Sequence, residues 1–343
     1  MTPSRGEDAL LTWLRERLGD GNLLGDDGAL LPESPGGGVR VATVDSQIAG
    51  VHHPADLNPA LVARRLLAVN LSDLAAMGAD PELALLALSA PPGFDHRRFL
   101  IAFIAASAEA GVSLAGGDLA TCPTTVATLT LLGRVPPGRA ALRRGAGRPG
   151  DLVWLAGPLG ASAAGRLLLA RGARVTLRGA PERAPQLAYE LPENLIPGLA
   201  GTARRALRRH LLPEPQLALG VSLSELAASA ARVAAIDLSD GLALDLARLC
   251  REGGCGAEVT ADLLPIAGEV DTLAAWLAED PRRLALSGGE DYVLLFTLPP
   301  GVAPPAGFAC TRIGRLTEDP ALVLVTPAGP VALEPAGWDH LAP

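Results

Sequence analysis

The stretch Ala235-Ile236-Asp237-Leu238-Ser239-Asp240-Gly241-Leu242, at residues 235–242, decides the fold class. Its apolar beginning, Val233 to Ile236, predicts a strand, and leucines at helical spacing after the loop predict a helix over Leu242 to Arg251. A strand that leads through a polar loop into a helix is the repeating unit of α/β proteins. We therefore expect an α/β fold in which this loop carries acidic side chains at a strand end.

The two aspartates of this loop have two interpretations. Ser239 or Asp240 could cap the helix that follows, which explains one acidic residue and leaves Asp237 without a role. The same choice arises upstream, where Asn70-Leu71-Ser72-Asp73 interrupts the helical pattern of Pro59 to Ala76. We predict a break or a new cap at that point, because Ser72 or Asp73 could cap a short helix.

Other elements follow in alternation. The sequence predicts a strand at Val39 to Val44 that delivers Asp45 at its end, strands at Leu83 to Leu88 and Val126 to Leu132, and a helix at Arg97 to Ala110. The Pro-, Arg- and Gly-rich stretch over 136–150 is the best candidate for a connection between domains. We therefore predict a domain over residues 1–137 and a second over 138–343.

Composition excludes several classes of function. All 29 basic residues, counted as Lys plus Arg, are arginine, so a Walker A lysine and a lysine Schiff base are both impossible. The net charge of -8 argues against binding to nucleic acid or to an anionic membrane, which requires clustered basic residues. Without an apolar run of membrane-spanning length or a signal-peptide core, we expect a cytoplasmic protein with a small-molecule substrate.

Short acidic loops recur along the whole chain, at Asp26-Asp27, Asp45, Asp73, Asp118 and Asp237 to Asp240. Each loop alone is typical of a solvated turn or a helix cap. Buried carboxylates are costly unless they are paired, so several of them near strand ends predict bound cations. Gly116 and Gly117, just before Asp118, would also let the backbone approach a phosphate closely.

Taken together, these segments resemble the thiamine-monophosphate kinase family, which belongs to an ATP-binding superfamily with aminoimidazole ribonucleotide synthetase and selenophosphate synthetase. The resemblance covers most of the chain, in family order. The matching segments are GDDGALL from Gly25, VDSQIAGVHH from Val44, VNLSDLAAMGADP from Val69, GGD from Gly116, RPGDLVWLAGPLGASAAG from Arg148, AIDLSDGLALDL from Ala235 and ALSGGEDYVLLFT from Ala285.

The resemblance implies a magnesium-dependent enzyme that transfers the γ-phosphoryl group of ATP to thiamine monophosphate. It also implies a two-domain subunit, with an N-terminal mixed sheet that forms a barrel at a homodimer interface and a C-terminal α/β sandwich. By position, the implied magnesium ligands are Asp27, Thr43, Asp45, Asp73, Asp118, Asp237 and Asp240. The implied nucleotide contacts are Gly117, Asp118, Arg144 and Ser239, and the implied substrate contacts are His52 and Glu290.

Some positions depart from the family pattern. Val44 stands where the family commonly has threonine, and Leu119-Ala120 replaces polar residues expected near the nucleotide. An aromatic substrate contact aligns with Pro335, and Trp338 lies three residues later. Trp338 could stack on the thiamine ring or only seal an apolar edge. Of the adjacent His52 and His53, one could be exposed and without a role.

The alternatives are another ATP-dependent synthetase of the superfamily, or a non-catalytic relative that binds nucleotide or metal without turnover. The first alternative is disfavoured because resemblance to the other superfamily members would require cysteine and lysine signatures that this sequence lacks. Its first cysteine is Cys122, and its last residues are Leu341-Ala342-Pro343. The departures at Val44 and Leu119-Ala120 keep the second open.

Overall fold

The computed structural model describes residues 7–18, 24–31, 37–229, 232–339 and 341. The sequence also predicts that Gly19 and Gly21 end the first helix, and these two residues lie outside the described ones. The helices are α1 Glu7–Leu18, α2 Pro59–Ala76, α3 His96–Glu109, α4 Ala161–Ala170, α5 Ala200–Leu211, α6 Leu217–Ala228, α7 Leu242–Gly253, α8 Gly268–Leu277 and α9 Pro281–Ser287. The strands are β1 Ala29–Leu31, β2 Val39–Ile48, β3 Asp80–Ala90, β4 Ser113–Thr121, β5 Val126–Val135, β6 Leu152–Leu155, β7 Arg174–Arg178, β8 Gln186–Glu190, β9 Ala234–Asp237, β10 Gly256–Thr260, β11 Leu294–Leu298, β12 Thr311–Thr317, β13 Leu322–Thr326 and β14 Gly329–Ala332.

The first sheet has the strand order β1-β2-β5-β3-β4. Its pairs are antiparallel except for β3 with β4, which is parallel, so the predicted mixed sheet is confirmed. One face packs against α2, and along β3 the burial alternates residue by residue, as expected for a strand with one covered face. The opposite face stays open.

The second sheet has the order β14-β13-β10-β12-β6-β11-β9. The predicted strand and helix around residue 237 are β9 and α7, and they lie on either side of the acidic loop as expected. Helix α7 packs against β9 and β10, which gives this half its α/β layering. The strands β7 and β8 form a separate hairpin.

Helix α2 is unbroken from Pro59 to Ala76, so the predicted break at Asn70 to Asp73 was wrong. The polar side chains are instead used between elements. The Asn70 amide donates to the Leu66 carbonyl (2.8 Å) and accepts from the Asp45 amide (3.1 Å). Sixteen residues of this helix are buried, which is typical of a helix covered on all sides rather than amphipathic.

Two loop predictions are also corrected. Asp45 lies within β2 rather than at its end, because β2 extends to Ile48 through pairing with β5. The Gly116 to Asp118 segment is part of β4, an edge strand whose every residue is exposed. A Cβ atom on Gly117 would lie 1.9 Å from the Leu86 carbonyl oxygen, so close pairing with β3 explains this glycine.

The two halves are in close contact through α2 and α6. A Cβ atom on Gly220 of α6 would lie 2.1 Å from the carbonyl oxygen of Ala75 in α2, so only glycine permits this approach. One cluster of buried apolar residues includes side chains from both halves. The division at residues 137 and 138 stays a prediction. Within the described part of the chain, every helix is too short or too polar to cross a bilayer.

Candidate active site

A cleft of about 480 Å³ lies where the first sheet, α2 and the second half of the chain meet. Most of the residues predicted for metal, nucleotide and substrate contacts line it. These are Asp27, Thr43, Asp45, His52, Asp73, Arg144, Asp237, Ser239, Asp240, Glu290 and Trp338. The residues predicted to form one site come from many separate segments of the sequence, and the fold brings these residues together.

One end of the cleft is acidic. Carboxylate oxygens of Asp27, Asp73 and Asp237 lie within 4.8 Å of one another. Asp73 comes from the last turn of α2 and Asp237 from the end of β9. The hydroxyl of Thr43 donates to Asp73, and that of Ser72 donates to Asp237 at 2.6 Å. A neutral hydroxyl orients a carboxylate without cancelling its charge.

Burial, together with the negative charge gathered at this end, raises the pKa of two carboxyl groups well above their usual range. For Asp73 the largest cause is burial, followed by repulsion from Asp45, Asp237 and Asp27. For Asp237 it is again burial, followed by repulsion from Asp27. Two carboxylates forced together in a desolvated place favour either protons or a cation. The donor set is all oxygen, which is what Mg²⁺ prefers.

Arg144 pairs with Asp27 through both ends of its guanidinium group. Its Nη2 lies 2.6 Å from Asp27 Oδ1 and its Nε lies 3.3 Å from Oδ2. The backbone amide of Arg144 also donates to Asp26 (2.8 Å), so the first acidic turn is attached to the second half of the chain. This arginine places a positive charge at the edge of the acidic end.

The 237–241 loop is not organised by Ser239 or Asp240 as helix caps. The residue that satisfies the loop amides is Asp245, whose Oδ2 accepts from the amides of Asp240 (3.0 Å) and Gly241 (3.1 Å). Arg248 donates to both Asp240 and Asp245. The helix-cap interpretation is therefore wrong here, and Ser239 and Asp240 are left facing the cleft.

At the opposite end, Glu290 sits in a turn with left-handed backbone at Gly289 (φ 70°), Glu290 (φ 61°) and Tyr292 (φ 50°). Positive φ at two residues with side chains, separated by a single position, is rare, and such strain is concentrated at functional sites. The Glu290 amide donates to the Ser239 carbonyl at 2.7 Å, which joins this turn to the acidic loop. The carboxylate is held by Arg65 and His210.

The two adjacent histidines occupy different places. His52 lines the cleft, and its Nδ1 accepts from the Ile48 amide (3.0 Å), so the neutral ring carries its proton on Nε2. His53 is buried behind it, and burial lowers its pKa to about 4. Trp338 lines the cleft with 43% of its surface exposed, whereas Pro335 lines a different depression.

Gly117 and Asp118 do not line this cleft. They lie on β4 at the exposed edge of the first sheet. Asp118 is opposite Ala87 of β3, which in turn is opposite Thr128 of β5, and Ser46 of β2 completes the row. Cross-strand neighbours share a face, so Asp118 projects from the open face of the sheet. Its predicted metal role stays a prediction.

Sequence reasoning missed Arg65, His210 and Asp245. Arg65 had a usable signal, since Arg64 and Arg65 interrupt an otherwise apolar helix. Asp245 had a weaker one, because it lies on the buried side of α7 among leucines. His210 lies in the arginine-rich segment 172–216, where no local pattern distinguishes it.

Comparison with known proteins adds independent information. Residues 25–135 match the family described as AIR synthase related protein, N-terminal domain. The thiamine-monophosphate kinase of Escherichia coli strain K12 is 36% identical over 98% of both chains. The solved structure of AaThiL complexed with AMPPCP and TMP superposes with a TM-score of 0.81 at 28% identity, covering 98% of this chain and 97% of the other. The thiamine monophosphate kinase of Aquifex aeolicus gives 0.75 at 26% identity, covering 94% and 97%.

Proposed function

The chain belongs to the thiamine-monophosphate kinase family, and we propose that it transfers the γ-phosphoryl group of ATP to thiamine monophosphate, giving thiamine diphosphate and ADP. The observation that carries this function is the cleft itself. It holds an oxygen-only carboxylate cluster and a separate carboxylate paired with an arginine, and a histidine and a tryptophan also line it. A site for two phosphorylated molecules requires this division between charge neutralisation and recognition of an organic group.

Magnesium fits the residues of the acidic end. Asp73 and Asp237 are carboxyl groups whose pKa is raised by burial and by neighbouring carboxylates, so a cation at this place would be favourable. We assign the ion to Asp27, Thr43, Asp45, Asp73, Asp237 and Asp240, as the family resemblance implied. When bound, Mg²⁺ neutralises phosphate charge and orients phosphate oxygens.

The remaining chemistry is positioning by the protein. The accepting oxygen belongs to a phosphate that is already ionised, so a strong general base is unnecessary. Two unit charges about 4 Å apart still repel by about 4 kcal/mol at a near-surface dielectric. Arg144 and Ser239, next to the acidic end, are proposed to contact the nucleotide. His52, Glu290 and Trp338 are proposed to contact thiamine monophosphate.

We also propose a homodimer formed through the open face of the first sheet. That face exposes apolar side chains, which monomeric proteins rarely leave uncovered over a contiguous area. They include Val44 (61% exposed) and Leu85 (44%), which lie in one cross-strand row. A second copy on this face would complete the barrel that the family resemblance implies. Asp118 projects from the same face, so its predicted metal and nucleotide roles depend on that second copy.

The decisive experiment measures ADP and thiamine diphosphate formed from ATP, thiamine monophosphate and magnesium. We expect equal amounts of both products, and none when either magnesium or thiamine monophosphate is omitted. ATP binding without product would instead favour the non-catalytic relative. ADP formation that ignores thiamine monophosphate would point to another reaction of the superfamily. Light scattering on the same sample checks the dimer.

A further inference from the structure

Arg65 is a fully buried arginine (0% exposed) that contacts three other parts of the chain. Its Nε donates to the side-chain oxygen of Gln47 in β2 at 2.9 Å. Its two terminal nitrogens donate to the His210 carbonyl in α5 and to Glu290 Oε1. The guanidinium carbon lies 5.9 Å from the centre of the Tyr292 ring. Each of the three guanidinium nitrogens therefore has a hydrogen-bond acceptor, and one of these acceptors is the Glu290 carboxylate.

His210 holds the other oxygen of the same carboxylate. It is 1% exposed, and its Nδ1 lies 3.2 Å from Glu290 Oε2 and 3.2 Å from the Ser162 hydroxyl. Burial lowers the pKa of His210, so the ring is neutral, and as the Nδ1-H tautomer it donates to Glu290. Glu290 thus has one oxygen on Arg65 and the other on His210.

The result is a carboxylate fixed in charge and direction. Burial alone would raise the pKa of Glu290, but Arg65 and His210 hold it well below its usual range. Its side chain is still 16% exposed, and it lines the cleft. Each carboxylate oxygen can accept more than one hydrogen bond, so both remain able to receive a donor from a ligand.

We propose that Arg65, together with His210, is a positioning residue that holds Glu290 in the orientation in which it recognises the organic part of the phosphate acceptor. That part carries an amine on a pyrimidine ring and a cationic thiazolium ring, both of which favour an oriented anion. The inference rests on the proposed function. It also assigns a role to α5, which lies in segment 172–216 and supplies His210 behind the acceptor end of the cleft.

The test compares Arg65→Gln with Arg64→Gln. Arg64 is the adjacent buried arginine on the same helix (8% exposed), but it binds Glu109 and the Arg183 carbonyl, away from the cleft. We expect Arg65→Gln to raise KM for thiamine monophosphate about tenfold or more, the range for lost charged hydrogen bonds, with KM for ATP within about twofold. Arg64→Gln should leave both constants unchanged. Equal increases in both constants for Arg65→Gln, or the same pattern for Arg64→Gln, would overturn the inference.

A double-mutant cycle separates positioning from a general structural effect. If Arg65 acts through Glu290, adding Arg65→Gln to Glu290→Gln should change KM for thiamine monophosphate by less than about twofold, since the shared interaction is already lost. Independent, multiplying effects would contradict this. Should Arg65→Gln fail to fold, His210→Asn removes the other hydrogen bond. It should raise the same KM severalfold and leave KM for ATP unchanged, and unaltered kinetics would refute the proposal.

Failure of the proposed function gives a different result. If the wild-type protein neither binds thiamine monophosphate in a calorimeter nor phosphorylates it, the assigned substrate is wrong. The coupling between Arg65 and Glu290 can then be measured from melting temperatures alone. Each single replacement should lower the melting temperature, and the neutral pair Arg65→Gln with Glu290→Gln should lower it no further. Additive losses would show that Arg65 does not hold Glu290.

Discussion

Buried carboxyl groups at the two ends of the cleft have different hydrogen-bond partners and opposite pKa shifts. At the acidic end, the side-chain donors on Asp73 and Asp237 are the hydroxyls of Thr43 and Ser72, and the pKa of each carboxyl group is raised. At the opposite end, Glu290 is held by Arg65 and His210, and its pKa is lowered. Both arrangements belong to one cavity.

The difference lies in the partners of individual carboxylates. Glu290 has an arginine partner, so its charge is balanced and it is ready to recognise a ligand. At the acidic end, arginines pair with Asp27 and Asp240, whereas Asp73 and Asp237 accept from hydroxyls. Carboxylates left with hydroxyl partners are unstable together until a cation arrives. The contrast therefore supports the proposed division of the cleft into a metal end and a recognition end.

The largest effect should come from Asp73→Asn at the metal end. It removes one charged ligand from the cluster, and we expect turnover to fall about a hundredfold or more, as when an electrostatic stabiliser of the reacting phosphate is lost. The melting temperature should stay the same or rise, because the mutual repulsion of the carboxylates decreases. Steady-state kinetics and thermal unfolding check both parts.

The control for that substitution is Asp56→Asn, an exposed aspartate paired with Arg174 away from the cleft. It should leave turnover unchanged. Near-normal turnover of Asp73→Asn at ordinary magnesium concentrations would remove the distinction between the two ends.

Glu290→Gln should have the reverse stability effect. It leaves the Arg65 guanidinium buried without its anion, and breaking a buried pair from one side costs about 3 kcal/mol. We expect a clear loss of unfolding free energy, measured in urea, and an increase in KM for thiamine monophosphate that exceeds the increase for ATP. An unchanged kinetic profile would exclude Glu290 from the site.

Asp291 is the direct neighbour of Glu290, but its carboxyl group has different partners. It accepts hydrogen bonds from the backbone amides of Gly160 (2.7 Å) and Ser162 (3.4 Å) at the start of α4. Burial raises its pKa from 3.8 to about 7. The folded state therefore holds this proton more tightly than the unfolded chain. The stability that it contributes is complete below pH 4 and is lost as the pH rises towards 7.

Asp291→Asn should remove this dependence. Between pH 4.5 and 7.5 the unfolding free energy of the wild-type protein should fall by about 2 kcal/mol relative to that of the variant. This value is set below the full pKa difference multiplied by about 1.4 kcal/mol per pKa unit. Urea unfolding at several pH values measures the difference. Parallel curves for the two proteins would show that Asp291 titrates normally.

The smallest effect is expected at the edge of the cleft. If Trp338 stacks on the thiamine ring, Trp338→Ala should raise KM for thiamine monophosphate about fivefold, the equivalent of about 1 kcal/mol for an aromatic contact. Trp338→Phe should retain most of the affinity. If both variants behave like the wild-type protein, Trp338 only covers an apolar edge.

The acidic cluster could be predicted from sequence because each acidic residue has a recognisable local pattern, while its metal role stays a prediction. Asp27, Asp73 and Asp237 each stand beside small or polar residues at the end of an apolar segment, and the family resemblance supplied their common purpose. The partners of Glu290 could not be predicted in this way. Arg65 and Glu290 are separated by 225 positions, and His210 lies in a segment with no distinctive pattern.

Errors in the fold arose where tertiary contacts overrode local preference. Asn70, Ser72 and Asp73 predicted a break in α2, but the fold turns these side chains towards Asp45, Asp237 and Thr43. Strand β4 was interpreted as a glycine loop, since glycine and aspartate are unfavourable in strands. Its pairing with β3 decides its conformation.

Helix α2 carries Asp73, which lines the cleft, and, eight residues earlier, the buried Arg65, which holds Glu290. Because a helix rises about 1.5 Å per residue, it sets a distance of about 12 Å between these two points. Under the proposed function, the helix fixes the spacing between the metal cluster and the residue that positions the acceptor contact. Inserting a single residue between them would turn one part by about 100° relative to the other, so the proposed choice of acceptor would depend on this length of helix.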